Sequence, residues 1–118
     1  MARRFVAGET IDEAIQVVKK LCAQGIDATF DQLGESVTSE AEARQAVATI
    51  KADGWDFVKV YYLIPRDAYF AIADEARKQG IPFAGHVPLA VSAAEASDAG
   101  QKSIEHLTGI LLACSRRE

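Results

Sequence analysis

Hydrophobic residues along the chain recur at two spacings, one typical of helices and one of buried strands. Between Ile11 and Cys22 they lie three and four positions apart, directly after Thr10 and Glu13, which have capping-box spacing. Short apolar runs separate this helix from similar ones, at 4–8, 26–33, 57–62, 82–86 and 102–107. The alternation predicts an α/β chain with a mostly parallel sheet of about five strands.

Local signals set the predicted helix boundaries. Capping boxes recur at 39–42 and 92–95, so helices should begin there, and Pro65 suits the first turn of another helix. A last apolar stretch, 109–114, should begin a fifth helix. Each of the first four helices ends near a glycine that precedes an apolar strand: Gly25, Gly54, Gly80 and Gly100.

Composition limits the class of protein. The 118 residues are 49% hydrophobic and 25% charged, which fits one α/β domain over 1–118. A formal net charge of −4 argues against a nucleic-acid surface. We find neither an apolar run of roughly 18 to 20 residues nor a signal-peptide core, so we expect no membrane association and a cytoplasmic location.

Three candidate functional residues lie at or near the ends of the last three predicted strands: Lys59, His86 and His106. The carboxyl ends of parallel strands share one edge, so these side chains should share a rim. Neutral imidazole is a natural zinc ligand, although a lone histidine or lysine is more often structural or exposed. Strand alternation places the side chains of Glu105 and His106 on opposite faces of their strand. We expect Glu105 to form a salt bridge.

The second half of the chain resembles the metal-dependent amidohydrolases, in particular the imidazolonepropionase-like and Xaa-Pro-dipeptidase-like branch. The resemblance spans about residues 51–114 and implies a TIM barrel. It also implies that Lys59 is a carboxylated lysine bridging two metal ions, with His86 and His106 as further ligands. The matching words are Asp56-Phe57-Val58-Lys59-Val60-Tyr61, Gly85-His86-Val87-Pro88 and Ser103-Ile104-Glu105-His106-Leu107.

The full amidohydrolase ligand set exceeds what this chain contains. The family also uses a His-x-His on its first strand and an aspartate on its eighth. The histidines here number two, His86 and His106. We therefore expect that one copy of this chain cannot form the complete hydrolase site.

The first part of the chain resembles a different barrel family, the proline dehydrogenases. The resemblance spans about residues 2–48, through the words at 3–10 and 31–38. It implies that Asp31 occupies the catalytic rim of that flavin enzyme. The arginines that bind substrate and the residues that contact flavin have no counterparts here, so we expect no flavin cofactor.

Segments of two barrel families in one chain suggest a recombined or engineered chimera, joined near 46–55. A natural truncated or fused gene product is the alternative. The inner face of a half-barrel of about five strands would be open to water. We expect that either a homodimer closes it or the strands rearrange into a flavodoxin-like doubly wound sheet.

Two functional hypotheses follow from the incomplete sites. The first is a folded scaffold without a complete active site or evolved catalytic activity, and so not an enzyme. The second is a residual metal-dependent hydrolase that uses Lys59, His86 and His106. We expect no cofactor. Any zinc that binds should depend on the dimer and on His86 and His106 together, through four imidazoles or through two with water.

Overall fold

The chain combines helices with a small parallel sheet, and it is therefore α/β as predicted. The computed structural model describes residue 7 and residues 10–28, 37–107 and 109–115. None of the helices in these ranges is long and apolar enough to cross a bilayer. In chain order the elements are α1 (Ile11–Cys22), α2 (Glu40–Ala52), β1 (Val58–Val60), α3 (Arg66–Gln79), β2 (Phe83–Gly85), α4 (Ala93–Asp98), a 3-10 turn (Glu105–Leu107) and α5 (Ile110–Cys114).

The chain divides into two compact units, residues 1–34 and 35–118. In the first unit, α1 begins with the predicted capping box at Thr10, and no described residue of this helix is buried. Most residues of the predicted strands at 4–8 and 26–33 lie outside the described residues, as does Asp31. The single domain over 1–118 and the join near 46–55 stay predictions.

The sheet of the second unit positions the functional residues. β1 and β2 are parallel, with Val58 opposite Phe83 and Val60 opposite Gly85. Val58 and Val60 are buried and the intervening Lys59 is exposed, as strand alternation predicts. The buried face packs against a core that α2 and α3 supply, which includes Ala43, Val47, Ala68, Tyr69 and Ile72.

The predicted strand at 102–107 is largely absent. It pairs with β2 through a single parallel bridge between Gly85 and Ile104. The next residues form the 3-10 turn, in which His106 and Leu107 have φ of 58° and 53°. A left-handed backbone cannot continue a strand, so the pairing stops at Ile104. Within the described residues the sheet has two strands and this bridge.

β2 approaches β1 closely at Gly85. Its φ is 123°, and a Cβ at this position would lie 2.5 Å from the carbonyl oxygen of Val60. The next residue, His86, donates its backbone N–H to that same oxygen at 3.0 Å. A side chain at residue 85 would therefore push apart the strand ends that carry the functional residues.

Gly85→Ala should lower the free energy of unfolding by about 3 kcal/mol, because it adds a backbone clash to an unfavourable φ. Gly80→Ala is the matched control, since Gly80 has φ of 63° and a Cβ added there would meet nothing within 4 Å. Gly80→Ala should lower the free energy of unfolding by only about 1 kcal/mol. Urea unfolding followed by circular dichroism measures the unfolding free energy of both variants. Equal losses would show that the close approach at Gly85 adds no cost of its own.

An ion pair ties α4 to the start of α3. Ser92 caps α4 in a capping box with Glu95, and the guanidinium of Arg66 contacts the Glu95 carboxylate. The Arg66 hydrogen bond, together with those from Ser92, lowers the pKa of Glu95 to about 2. This pair holds the short helix that leads into the bridge at Ile104.

Glu95→Gln should remove part of the acid sensitivity of folding. Because the folded pKa of Glu95 is depressed, its contribution is present above the unfolded value of 4.5 and is lost as the pH falls through about 2. The difference in unfolding free energy between wild type and variant should shrink over this window. Urea titrations at several pH values measure it, with Asp98→Asn as a charge-removal control on the same helix. A constant difference would contradict the linkage.

Candidate metal centre

Three possible metal ligands meet beyond the ends of the parallel strands. His86 directly follows β2, and Glu105 and His106 lie in the 3-10 turn after the bridge. One ligand atom from each of these residues lies within 4.8 Å of the others. We call these three residues the rim cluster.

A lysine ion pair borders the rim cluster. The Nζ of Lys59 lies 3.1 Å from Oε2 of Glu105. The same oxygen lies 3.8 Å from Nδ1 of His86, within range of an electrostatic interaction but too far for a hydrogen bond. The ring centroids of His86 and His106 are 4.9 Å apart. One carboxylate thus lies between an ammonium group and an imidazole.

His86 carries a buried nitrogen that the described residues leave unsatisfied. Its Nδ1 is inaccessible to solvent and has no hydrogen-bond partner, and its side chain is only 17% exposed. A buried polar group without a partner costs about 1–3 kcal/mol. A metal ion is one kind of partner that would remove this cost, and the donor set of two imidazoles and a carboxylate suits zinc.

The ligand atoms of the rim cluster are somewhat further apart than the ligand atoms around a bound zinc ion. Ligand atoms around tetrahedral zinc are roughly 3.4 Å apart, given bonds of about 2.1 Å. A separation of up to 4.8 Å therefore has to contract by over an ångström. His106 is exposed and Glu105 half-buried, so rotation of their side chains can supply this movement.

The backbone at His106 is in an uncommon conformation. Its φ of 58° and ψ of 4° lie in the left-handed region, which costs a residue with a side chain roughly 1–2 kcal/mol. Strain of this kind concentrates at functional sites. Here the left-handed turn interrupts strand alternation, and His106 and Glu105 both belong to the rim cluster.

Two tyrosines enclose the His86 ring. The ring of Tyr61 meets it edge-on at a centroid distance of 5.2 Å, and that of Tyr62 lies 6.0 Å away. A hydrogen bond with Tyr62 raises the pKa of the Tyr61 hydroxyl. These rings restrict the orientations open to the imidazole.

The structure brings the three predicted site residues together, and it adds a fourth. Lys59 reaches the rim cluster through Glu105, and the predicted salt bridge of Glu105 is confirmed. The prediction that Glu105 and His106 lie on opposite faces of a strand is wrong, because the 3-10 turn replaces strand alternation there. Glu105 was therefore missed as a possible ligand, and its position beside His106 in the sequence was the available signal.

Comparison with known proteins finds no matching family model. Proline dehydrogenase 1 of Bacillus subtilis (strain 168) is 52% identical over 50 residues, which cover 42% of this chain and 17% of that protein. Proline dehydrogenase of Deinococcus radiodurans is 47% identical over 45 residues, covering 38% and 14%. The matches thus extend over less than one-fifth of the length of either relative.

A solved structure with a similar fold is that of a bottromycin amidohydrolase. It superposes with a TM-score of 0.64 at 24% identity, over 82% of this chain and 25% of that one. The likeness shows the fold, and it extends over more of the chain than the predicted amidohydrolase-like segment 51–114. Together with the proline dehydrogenase matches, it fits a chimera of the two predicted segments.

Proposed function

We propose that this chain is a recombined barrel-fragment scaffold whose rim cluster binds a divalent transition metal ion such as zinc. It has no complete hydrolase centre of its own and no evolved catalytic activity. The observation that carries the metal proposal is the buried, unsatisfied Nδ1 of His86 beside a second imidazole and a carboxylate. Those three side chains supply the donor types that zinc prefers.

Glu105 is the anionic ligand in this proposal. The amidohydrolase resemblance assigns that role to a carboxylated Lys59. Here the Lys59 amine lies 3.1 Å from the Glu105 carboxylate, and an ammonium has no lone pair for a metal ion. A zinc ion held by His86, His106 and Glu105 would keep an open position and act as a Lewis acid. Lys59 would hold Glu105 in place until the metal ion competes for it.

The proposed architecture is a half-barrel of about five parallel strands. Its support is the parallel order of β1, β2 and the bridge at Ile104. The helical core covers the face that carries Val58 and Val60, while Lys59 is exposed. A doubly wound sheet would require helices over the Lys59 face as well.

We also propose that a second copy of this chain covers the rim. The loops that follow the strands expose large apolar side chains, with Leu63 at 65%, Leu89 at 76% and Leu107 at 68%. The first two loops are joined by a hydrogen bond from the N–H of Leu89 to the carbonyl of Tyr62. Contact between these leucines and a second copy would remove exposed apolar surface from water.

Zinc should raise the unfolding temperature of the wild type. At a zinc concentration about 100-fold above Kd, binding should contribute about 2.7 kcal/mol to stability. His86→Ala and His106→Ala should each weaken zinc binding by about 100-fold or more, since both remove a direct ligand. Competition with a chromophoric chelator measures Kd, and thermal unfolding with and without zinc measures the stabilisation. If zinc raised the unfolding temperature of the wild type and of the His86→Ala, His106→Ala double variant equally, the proposed site would be contradicted.

Two variants separate the possible anionic ligands. Glu105→Gln should weaken zinc binding, whereas Lys59→Met should leave it unchanged or tighten it, because Lys59→Met removes a cation that competes for Glu105. Loss of binding in Lys59→Met together with normal binding in Glu105→Gln would instead favour a carboxylated Lys59. Ester or amide turnover with zinc that disappears in His86→Ala would overturn the scaffold and favour a residual hydrolase.

Sedimentation equilibrium at micromolar concentration should give the mass of a homodimer. Leu89→Glu places a charge on the proposed contact and should shift the equilibrium to monomer, because Leu89 is 76% exposed in one chain. Leu111→Glu is the matched control, at an 85% exposed leucine of α5 outside the strand-end loops. A monomeric wild type would contradict closure by a second copy.

A further inference from the structure

The side-chain amide of Gln101 joins the two backbone segments that carry the rim cluster. Its Nε2 donates to the carbonyl oxygens of Gly85 at 3.0 Å and His86 at 3.3 Å. The same nitrogen donates to the carbonyl of Ser103 at 2.9 Å. One amide group thus contacts the end of β2 and the segment that leads to Glu105.

A buried tyrosine fixes the orientation of this amide. The hydroxyl of Tyr69 donates to Oε1 of Gln101 at 2.8 Å, and Tyr69 is fully buried in α3. Because a hydroxyl donor faces Oε1, the NH2 group of the amide points at the three carbonyls. The contact connects the helical core to the edge of the sheet.

Backbone pairing alone holds this edge weakly. The N–H of Gly85 reaches the Ser103 carbonyl at 3.3 Å, and the N–H of Lys102 reaches the Phe83 carbonyl at 2.9 Å. Beyond the bridge at Ile104 the chain turns into the left-handed conformation at His106. Gln101 supplies its hydrogen bonds where the regular ladder ends, immediately before this strained turn.

We propose that Gln101 is the positioning residue of the rim cluster, setting the spacing between His86 and the turn that carries Glu105 and His106. The expected effect on zinc affinity rests on the proposed metal-binding function. The effect on the spacing between His86 and the turn is independent of any metal ion. Tyr69 is the residue that keeps the Gln101 amide in its working orientation.

Three variants test the role of the amide. Gln101→Met keeps the length of the side chain and removes every hydrogen bond of the side-chain amide. Gln101→Glu keeps an acceptor for Tyr69 but turns a carboxylate oxygen toward three carbonyls, so it should disrupt the spacing most. Tyr69→Phe leaves Gln101 in place and removes its orienting donor, so its effect should be smaller.

The first measurement needs no metal ion. The chain has two histidines, so imidazole proton and nitrogen spectra contain only the signals of His86 and His106. Their ring centroids are 4.9 Å apart, and we expect a nuclear Overhauser contact between the rings in the wild type. That contact should weaken in Tyr69→Phe and disappear in Gln101→Met. A wild type without the contact, or a Gln101→Met variant that retains it fully, would overturn the inference.

The second measurement is zinc affinity, which Gln101→Met should reduce about 10- to 100-fold, as expected for a residue that orients ligands. Gly80→Ala controls for simple destabilisation, because it strains a helix end away from the rim cluster and should retain wild-type affinity. Cobalt absorption spectra should also change in Gln101→Met and not in Gly80→Ala. Equal affinity and spectra in all three proteins would overturn the inference.

The two measurements separate this inference from the proposed function. A wild type that binds no zinc, yet shows the ring contact that Gln101→Met abolishes, would refute the metal site and support the positioning role. A wild type that binds zinc only as tightly as Gln101→Met does would support the metal site and refute the positioning role.

Discussion

The close approach of β2 to β1 at Gly85 is the constraint on which the rim cluster depends. A Cβ there would lie 2.5 Å from the Val60 carbonyl oxygen, so glycine alone lets the strands remain paired to their ends. That pairing brings the His86 N–H to the same oxygen and places the ring of His86 against those of Tyr61 and Tyr62. The bridge from Gly85 to Ile104 then positions the turn that carries His106.

Features that depend on neighbouring residues could be predicted from the sequence. The capping boxes at Thr10, Ser39 and Ser92 all form, because their interacting atoms are three positions apart. The left-handed end of α3 at Gly80 is equally local. The parallel pairing of β1 with β2 was also predictable, because an intervening helix favours a parallel crossover.

Features that depend on tertiary contacts were missed. A strand period of two placed Glu105 and His106 on opposite faces, but the left-handed backbone at His106 ends the strand and gathers both residues. No motif marks Gln101, since its partners lie 16 residues away at Gly85 and 32 away at Tyr69. Both failures involve arrangements that no sequence pattern marks, whereas the capping boxes and the parallel pairing follow from recognisable patterns.

In the proposed half-barrel, the ion pair at the rim suits a face that no complete barrel encloses. In a closed barrel the Lys59 side of the sheet would face the interior, where a charge is costly unless paired or ligated. In a single copy of the proposed half-barrel that side meets water, and Lys59 and Glu105 are each about one-third exposed. Such a pair adds at most about 1 kcal/mol of stability, but it replaces apolar surface that would promote aggregation. Glu105, the anionic ligand of the proposed metal site, is thus also a residue that suits contact with solvent. The proposed fragment would therefore keep its candidate ligand residues without a complete barrel around them.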